Sequence, residues 1–318
     1  MSQHQTVHLV DASPYIFRAY FSLPSSMVDR DGRSVGAVYG FLAFLLKLID
    51  EEDPTHLGVA FDASLTTSFR NDIFPDYKAG RELPPPELEA QLEDCRLVAQ
   101  ALGAATYVHR RYEADDLIGT LCRWLESANR HCVIVTSDKD LAQLVSERVT
   151  LLDFARRRRY TPQAVAEKFS VRPAQIPDLL GLAGDAVDNI PGVPGIGRKT
   201  ASALLDAFGR LELLYERLDQ VPQLPLRGAR SVAAKLARGR QAAFLSKRLA
   251  TIAVDAPVPA DLARLEWRGA DWDRLDPLLD RLGFGRIRTR IPGRAAKTCG
   301  SRHHQDRAGS STTSSSRT

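Results

Sequence analysis

Apolar residues along this chain gather into short runs that each stop at an aspartate. "VHLVDAS" stops at Asp11, "HLGVAFDAS" at Asp62, and "CVIVTSDKD" at Asp138 and Asp140. Runs of this length, apolar through most positions, predict strands buried on both faces of a sheet. Between them apolar residues follow helical patterns over 36–49, 86–102 and 115–127. The alternation predicts an α/β fold with a mostly parallel central sheet. Ligands of such sheets gather beyond the carboxyl ends of the strands, where all four aspartates fall. "RYEADDLIG" adds Glu113, Asp115 and Asp116 at the start of a predicted helix, on the same edge. The helix dipole accounts for one or two acids there and leaves a third unexplained.

From about residue 160 the texture changes. "TPQAVAEKFSV", "PAQIPDLLGLAGDAVDNIPG" and "GRKTASALLDAFG" read as short helices punctuated by Gly and Pro, and they bring in Asp185 and Asp188. The predicted organisation is an α/β core over 1–160 and a helical region over 161–290. A basic, Ser/Thr-rich tail over 291–318 lacks apolar periodicity and is expected to be disordered.

Composition narrows the class. With 44% hydrophobic and 26% charged residues among 318, the chain is ordinary globular protein. "MSQHQTVHLVDA" has neither a basic nor an apolar leader region, so no signal peptide is expected. The longest apolar run, 37–49, is too short for a bilayer and contains Lys47. Cys95, Cys122, Cys132 and Cys299 form no metal-ligand spacing and predict reduced thiols in a cytoplasmic protein. The net charge of +4 says little by itself, because residues 286–318 alone hold eight Arg/Lys against one Asp.

Nine carboxylates gathered at one edge raise each other's pKa and call for cations. Oxygen donors without His or Cys favour Mg²⁺ or Mn²⁺ over Zn²⁺. A carboxylate cage of this size suits two ions about 4 Å apart acting on a phosphate. The glycine-rich "GVPGIGRKT" fails as a nucleotide loop, since Arg198 stands before Lys199 and no strand precedes it. It reads as a hairpin between helices, whose free N–H groups suit a DNA backbone phosphate. The segment 68–92 interleaves Arg70, Lys78 and Arg81 with Phe69, Phe74 and Tyr77, a mixture that suits single-stranded nucleic acid. It could stand over the acids as a mobile cover. The "RRRR" run at 156–159 reads as a solvated hairpin face.

"YKAGR", "YEADDLIGTL", "TSDKDLAQL" and "GDAVDNIPGVPGIGRKTA" together resemble the 5′-nuclease family. That family comprises the N-terminal domain of bacterial DNA polymerase I and free-standing bacterial and phage flap endonucleases. The resemblance runs from about residue 6 to about 290. It implies a PIN-like nuclease fold with a helical arch at about 70–95 and a helix–three-turn–helix DNA-binding element. It implies a first metal site built by Asp11, Asp62, Glu113, Asp115 and Asp116, and a second completed by Asp138, Asp140, Asp185 and Asp188. By the same resemblance Lys78 and Arg81 contact the scissile phosphate. Arg70 and Tyr77, from the basic–aromatic mixture of 68–92, are expected against DNA beside them, and the resemblance has Gly195, Gly197 and Lys199 grip duplex DNA beside a K⁺ ion. The implied activity is Mg²⁺-dependent 5′-3′ exonuclease and 5′-flap cleavage by a monomer, on DNA with a 5′ flap, nick or 5′ end. Coupling to a DNA polymerase would be in trans. Two rivals remain: a PIN-type ribonuclease, which lacks the long helical region and the "GIGRKTA" hairpin, and a non-catalytic binder of branched DNA.

Overall fold

The computed structural model describes residues 6–63 and 67–292. Six strands form one sheet in the order β3-β2-β1-β4-β5-β6. They are β1 (Thr6–Asp11), β2 (His56–Asp62), β3 (Ala105–His109), β4 (His131–Val135), β5 (Val149–Asp153) and β6 (Arg158–Tyr160). All neighbours pair in parallel except β5 and β6, which form an antiparallel hairpin. The arginine run lies on that hairpin, where Arg157 and Arg159 bond Glu51 and Glu52 at the surface. β3 escapes the sequence reading because "ATYVH" is short and only half buried.

Thirteen α-helices lie among the described residues. In the first part these are α1 (Ser13–Ser22), α2 (Gly36–Glu52), α3 (Phe69–Ile73), α4 (Pro86–Ala101) and α5 (Ala114–Ser127). Then follow α6 (Pro162–Phe169), α7 (Ile176–Ala183), α8 (Arg198–Phe208), α9 (Leu211–Glu216), α10 (Ala229–Arg238), α11 (Arg240–Ala250), α12 (Leu262–Leu265) and α13 (Trp272–Arg281). One face of the sheet packs on α5, whose Leu117, Ile118, Leu121 and Leu125 are buried, and that core runs on through α7, α8 and α11. The other face packs on α1, α2 and α4. The chain returns to this second face at its end. Leu275 and Leu279 of α13 and Leu282 just after it join Phe41 and Leu88 in the same core, and the Trp267 indole N–H donates to the Leu102 carbonyl. Residues 272–291 therefore brace the α/β half, although they read as one helical region with 161–271.

The stretch expected to arch at 70–95 divides in two. α4 starts at Pro86, where the proline run ends, and buries Leu88, Gln91 and Cys95. What covers the carboxyl edge of the sheet is 67–85, a five-residue helix followed by turns, lying close on the protein. It is fastened where the Lys78 N–H donates to the Asp188 carbonyl at 3.0 Å and the Asn189 amide donates to the Asp76 carbonyl at 2.7 Å. Lys78 (φ 58°) and Asn189 (φ 55°) both adopt the left-handed region at this seam.

The loop between α7 and α8 crosses itself where Gly192 meets Gly184. Gly192 has φ +62°, and a Cβ there would lie 2.3 Å from the Gly184 nitrogen. Its own N–H donates to the buried Ser246 hydroxyl at 2.8 Å, which pins the loop to α11. Gly192→Ala must either open this crossing or strain the backbone. The expected loss is about 1–3 kcal/mol in urea unfolding, and an unchanged midpoint would disprove the crossing.

Candidate active site

The parallel register of β2, β1 and β4 brings their carboxyl ends to one edge, and with them the acids. Asp11 closes β1 and accepts from the Thr136 hydroxyl at 2.8 Å. Thr136 Oγ1 in turn accepts from the Asp138 N–H at 2.9 Å, so β4's end fixes both aspartates. Asp62 closes β2 and accepts from the Ser13 hydroxyl at 2.6 Å and the Ala114 N–H at 2.8 Å, tying β2 to the starts of α1 and α5. Asp138 accepts from the Asp140 N–H at 2.9 Å. Asp185 and Asp188 come from the second half of the chain, on a turn closed by the Asp185–Ile190 bridge. Asp11, Asp62, Glu113, Asp115, Asp138 and Asp188 line one cavity of about 160 Å³ under Lys78 and Arg81. Asp138, Asp140, Asp185 and Asp188 line an adjoining opening of about 280 Å³. Eight of the nine predicted acids thus share one locus.

The charges are unevenly met. Lys78 Nζ is 2.7 Å from Glu113 and 4.0 Å from Asp188. Arg81 bonds Asp188 through Nε at 3.1 Å and also through a terminal nitrogen. Lys139 reaches Asp185 at 2.6 Å. Burial opposes ionisation of Glu113, but Lys78 and Arg70 outweigh it and hold its carboxyl below the usual range. Burial likewise opposes ionisation of Asp185, and Lys139 with the Val187 N–H reverses it. The inner acids lack such partners. Burial, then Asp62 and Asp138, push Asp11 up to about 8. Burial and Asp138 push Asp140 up to about 7, and burial with Asp138 and Asp11 drives Asp115 well above the carboxylate range.

Asp116, expected as a metal ligand, faces away from this locus. It is fully buried, and both its oxygens bond the Arg70 guanidinium at 2.8 Å while also accepting from the N–H groups of Glu113 and Ala253. Arg70, expected against DNA, is 2% exposed and donates further to the carbonyls of Leu249 and Thr251 at the end of α11. Tyr77, expected there too, is 5% exposed with its hydroxyl 3.1 Å from Glu113. These three corrections share a cause. An acid with no solvent needs a partner with no solvent, so the inward members of the basic–aromatic segment serve the acids and only its outer members face the opening. The sequence reading also missed Lys139, Thr136 and Ser13. The lysine between two aspartates in "DKD" was the available signal for the first.

The hairpin matches expectation in form. Gly195 has φ +79°, Gly197 caps α8, and Arg198 and Lys199 stand exposed in the first turn, which holds no acid. The Lys235 ammonium donates to the Gly195 carbonyl at 3.2 Å, adding positive charge from α10.

The donor set suits hard dications. It offers oxygen only, from carboxylates and the Ser13 and Ser137 hydroxyls, with no His or Cys lining either opening. Among the described residues no three His, Cys, Asp or Glu side chains converge on a single point as they stand. The acids ring a cavity instead. Mg²⁺ usually keeps several waters and takes one or two carboxylates directly, which fits a ring better than a tight cage.

Acids at the carboxyl edge of a parallel sheet, beneath two cations and beside a glycine hairpin that opens a helix, define a class of nucleic-acid-processing α/β proteins. The chain belongs to the 5′-3′ exonuclease family: its N-terminal resolvase-like domain matches residues 6–170 and its C-terminal SAM fold matches 171–273. The chain is 39% identical to DNA polymerase I of Bacillus subtilis (strain 168) over 300 residues, covering 92% of this chain and 33% of the polymerase. It is 45% identical to DNA polymerase I of Pseudomonas aeruginosa over 266 residues, covering 83% and 29%. It thus spans about a third of the length of these relatives. In fold it is similar to phage T5 5′-exonuclease solved with divalent zinc ions, with TM-score 0.63, 22% identity, and 87% and 98% of the two chains covered. The catalytic core of Rad2 in complex with DNA substrate gives TM-score 0.59 at 14% identity, with 88% of each chain covered.

Two predictions follow from the charges. Arg70→Ala strands a buried Asp116 and should cost about 3–5 kcal/mol. Adding Asp116→Ala should recover part of that loss in denaturant titrations, and strict additivity of the two would refute the pairing. The raised carboxyls of Asp11 and Asp140 mean that the folded chain holds protons that the unfolded chain releases. Their contribution to stability therefore falls as pH rises between about 4 and 8. Mg²⁺ competes with those protons, so its effect on Tm should be larger at pH 8 than at pH 5 in thermal scans against EDTA. Equal shifts at both pH values would remove these acids as the binding groups.

Proposed function

We propose that the chain is a divalent-cation-dependent 5′ nuclease that hydrolyses DNA phosphodiesters at 5′ ends, nicks and 5′ flaps. The observation that carries the reading is the six-carboxylate cavity beneath Lys78 and Arg81. Asp11, Asp62, Glu113, Asp115 and Asp138 would hold Mg²⁺ or Mn²⁺ there, with Asp140, Asp185 and Asp188 on the adjoining side. Bound dications supply Lewis acidity toward water and phosphate oxygens, in the two-ion manner of other phosphodiesterases.

The chain's own residues do the rest. Lys78 and Arg81 lie over the acids, where an entering phosphate competes with Glu113 and Asp188 for them. Freed from those carboxylates, they stabilise the charge that builds on the phosphoryl oxygens. Ser13 and Thr136 hold Asp62 and Asp11 in fixed rotamers, so the acids keep their spacing when charge enters. Gly195, Gly197 and Lys199 take a backbone phosphate of the duplex without reading sequence, and the hairpin carbonyls are the proposed place for K⁺. The proposed working form is a cytoplasmic monomer, and a DNA polymerase is its proposed partner.

Asp115 is a cleaner probe than Asp116, whose removal would also strand Arg70. A 5′-labelled flap duplex should lose its flap with Mg²⁺ and keep it in EDTA. Asp115→Asn should retain binding and lower cleavage by at least about 100-fold, on the order of one lost electrostatic group in such a site. Tight binding without cleavage in Mg²⁺ or Mn²⁺ would leave a branched-DNA binding protein instead.

A further inference from the structure

The chain at and just after the end of α11 acts as a fastening strip. α11 stops at Ala250, so the carbonyls of its last turn lack partners within the helix. Arg70, from the cover, takes the carbonyls of Leu249 and Thr251. Farther on, the Ala253 N–H donates to Asp116 and the Ala256 N–H to the Thr120 hydroxyl, both on α5. Gln143 fills the gap between these contacts. Its amide nitrogen donates to the Ala250 carbonyl at 3.0 Å, and its amide oxygen accepts from the Ile252 N–H at 3.0 Å. The same nitrogen donates to the Asp140 carbonyl at 3.0 Å. Two carbonyls and one N–H thus fix which way the amide faces. Gln143 lines neither acidic opening, yet a run of hydrogen bonds leads from it through three acids. The Asp140 N–H donates to the Asp138 carboxylate, the Asp138 N–H to Thr136 Oγ1, and the Thr136 hydroxyl to Asp11.

We infer that Gln143 is a positioning residue for the metal-holding acids: it bolts the 3₁₀ turn Asp140–Leu144 to the strip and so sets Asp138 and Asp140 against Asp185 and Asp188. The inference rests on the nuclease reading. The second pair of acids is referred to the same helix. α7, which leads into their turn, packs so closely on α11 that a Cβ on Gly181 would lie 3.0 Å from the Ala243 carbonyl. Ser246 of α11 holds the loop beyond the turn through the Gly192 N–H. α11 is therefore the common frame of the two pairs, and Gln143 is the link that refers the β4 pair to it. Burial of Leu141 and Ala142 seats the 3₁₀ turn in depth, but apolar contact is not directional. Bonds from one amide are directional, and they fix the rotation on which the Asp140 carboxylate depends. The Lys139–Asp185 pair spans the same gap with its lysine partly in water, where such a pair is weak.

The test uses the full chain and compares Gln143→Met, close in size but without the amide, with Thr120→Val. The second variant frees the far end of the strip from α5 and leaves Gln143 bonded. Three quantities are read: Mn²⁺ affinity without DNA by calorimetry, binding of a 5′-flap duplex in EDTA by anisotropy, and kcat and KM for flap release in Mg²⁺. Gln143→Met should weaken Mn²⁺ binding and lower kcat, each by about 10- to 100-fold, as when a group that orients metal ligands is removed. Its KM and its binding in EDTA should match wild type. Thr120→Val should keep wild-type Mn²⁺ affinity and kcat. Lowered urea stability of Gln143→Met with unchanged Mn²⁺ affinity marks a merely structural amide and overturns the inference. An equal loss of Mn²⁺ affinity in Thr120→Val overturns it too, since the strip as a whole would then be responsible. If Gln143→Met does not fold, Gln143→Asn decides, because its amide is one methylene short of the strip: weakened Mn²⁺ binding supports the inference and wild-type binding overturns it. Wild type that neither binds Mn²⁺ nor cleaves overturns the nuclease reading itself, a result seen before any variant is made.

Discussion

Carboxylates crowded out of water need positive charge close by, and much of this structure follows from how that need is met. The sheet delivers Asp11, Asp62 and Asp138 to one edge, and α5 and the 185–188 turn bring the rest. No packing of apolar side chains could hold such a group together at neutral pH. Lys78, Arg81 and Lys139 answer the outer acids, Arg70 answers Asp116, and the inner ones stay under-compensated. The division sorts the acids by role. Asp116, sealed against Arg70, holds the scaffold, and the inner acids present an unmet demand for positive charge.

The same demand shapes the cover. Residues 67–85 form only a five-residue helix, and they lie closed over the edge with Tyr77 in the core and Ile73 and Phe74 packed against it. Ion pairs from Lys78 and Arg81, backed by the bonds to Asp188 and Asn189, hold them there. Salt links at a partly wet surface are weak individually.

Much of this was legible in the sequence, and for a physical reason. Strand ends, helix starts and Gly/Pro breaks are local, so the three apolar runs, the helices predicted over 36–49, 86–102 and 115–127, and the edge that collects the acids could be read directly. The direction of a side chain is not local. Nothing in "SFRND" distinguishes an outward arginine from one whose partners are Asp116, Leu249 and Thr251, because those lie 46 to 181 residues away. Asp116 was hidden for the same reason: one residue on from Asp115, it lies about 100° round the helix and meets Arg70 instead of the cavity. The return of α13 to the first half was equally hidden, since its amphipathic pattern names a buried face without naming the face it meets.

The Arg70 guanidinium also sets an order of assembly. It cannot complete its bonds until the chain has been made as far as Thr251, and the Asp116 carboxylate waits on Ala253. A chain emerging from its N-terminus builds the strands and the acids of the first half early. It then lacks the long-range clasp that fixes Glu113 and seats the cover, for loop-closure reasons that delay such contacts. The acidic edge is therefore complete only when the α7–α8 hairpin and α11 are already present.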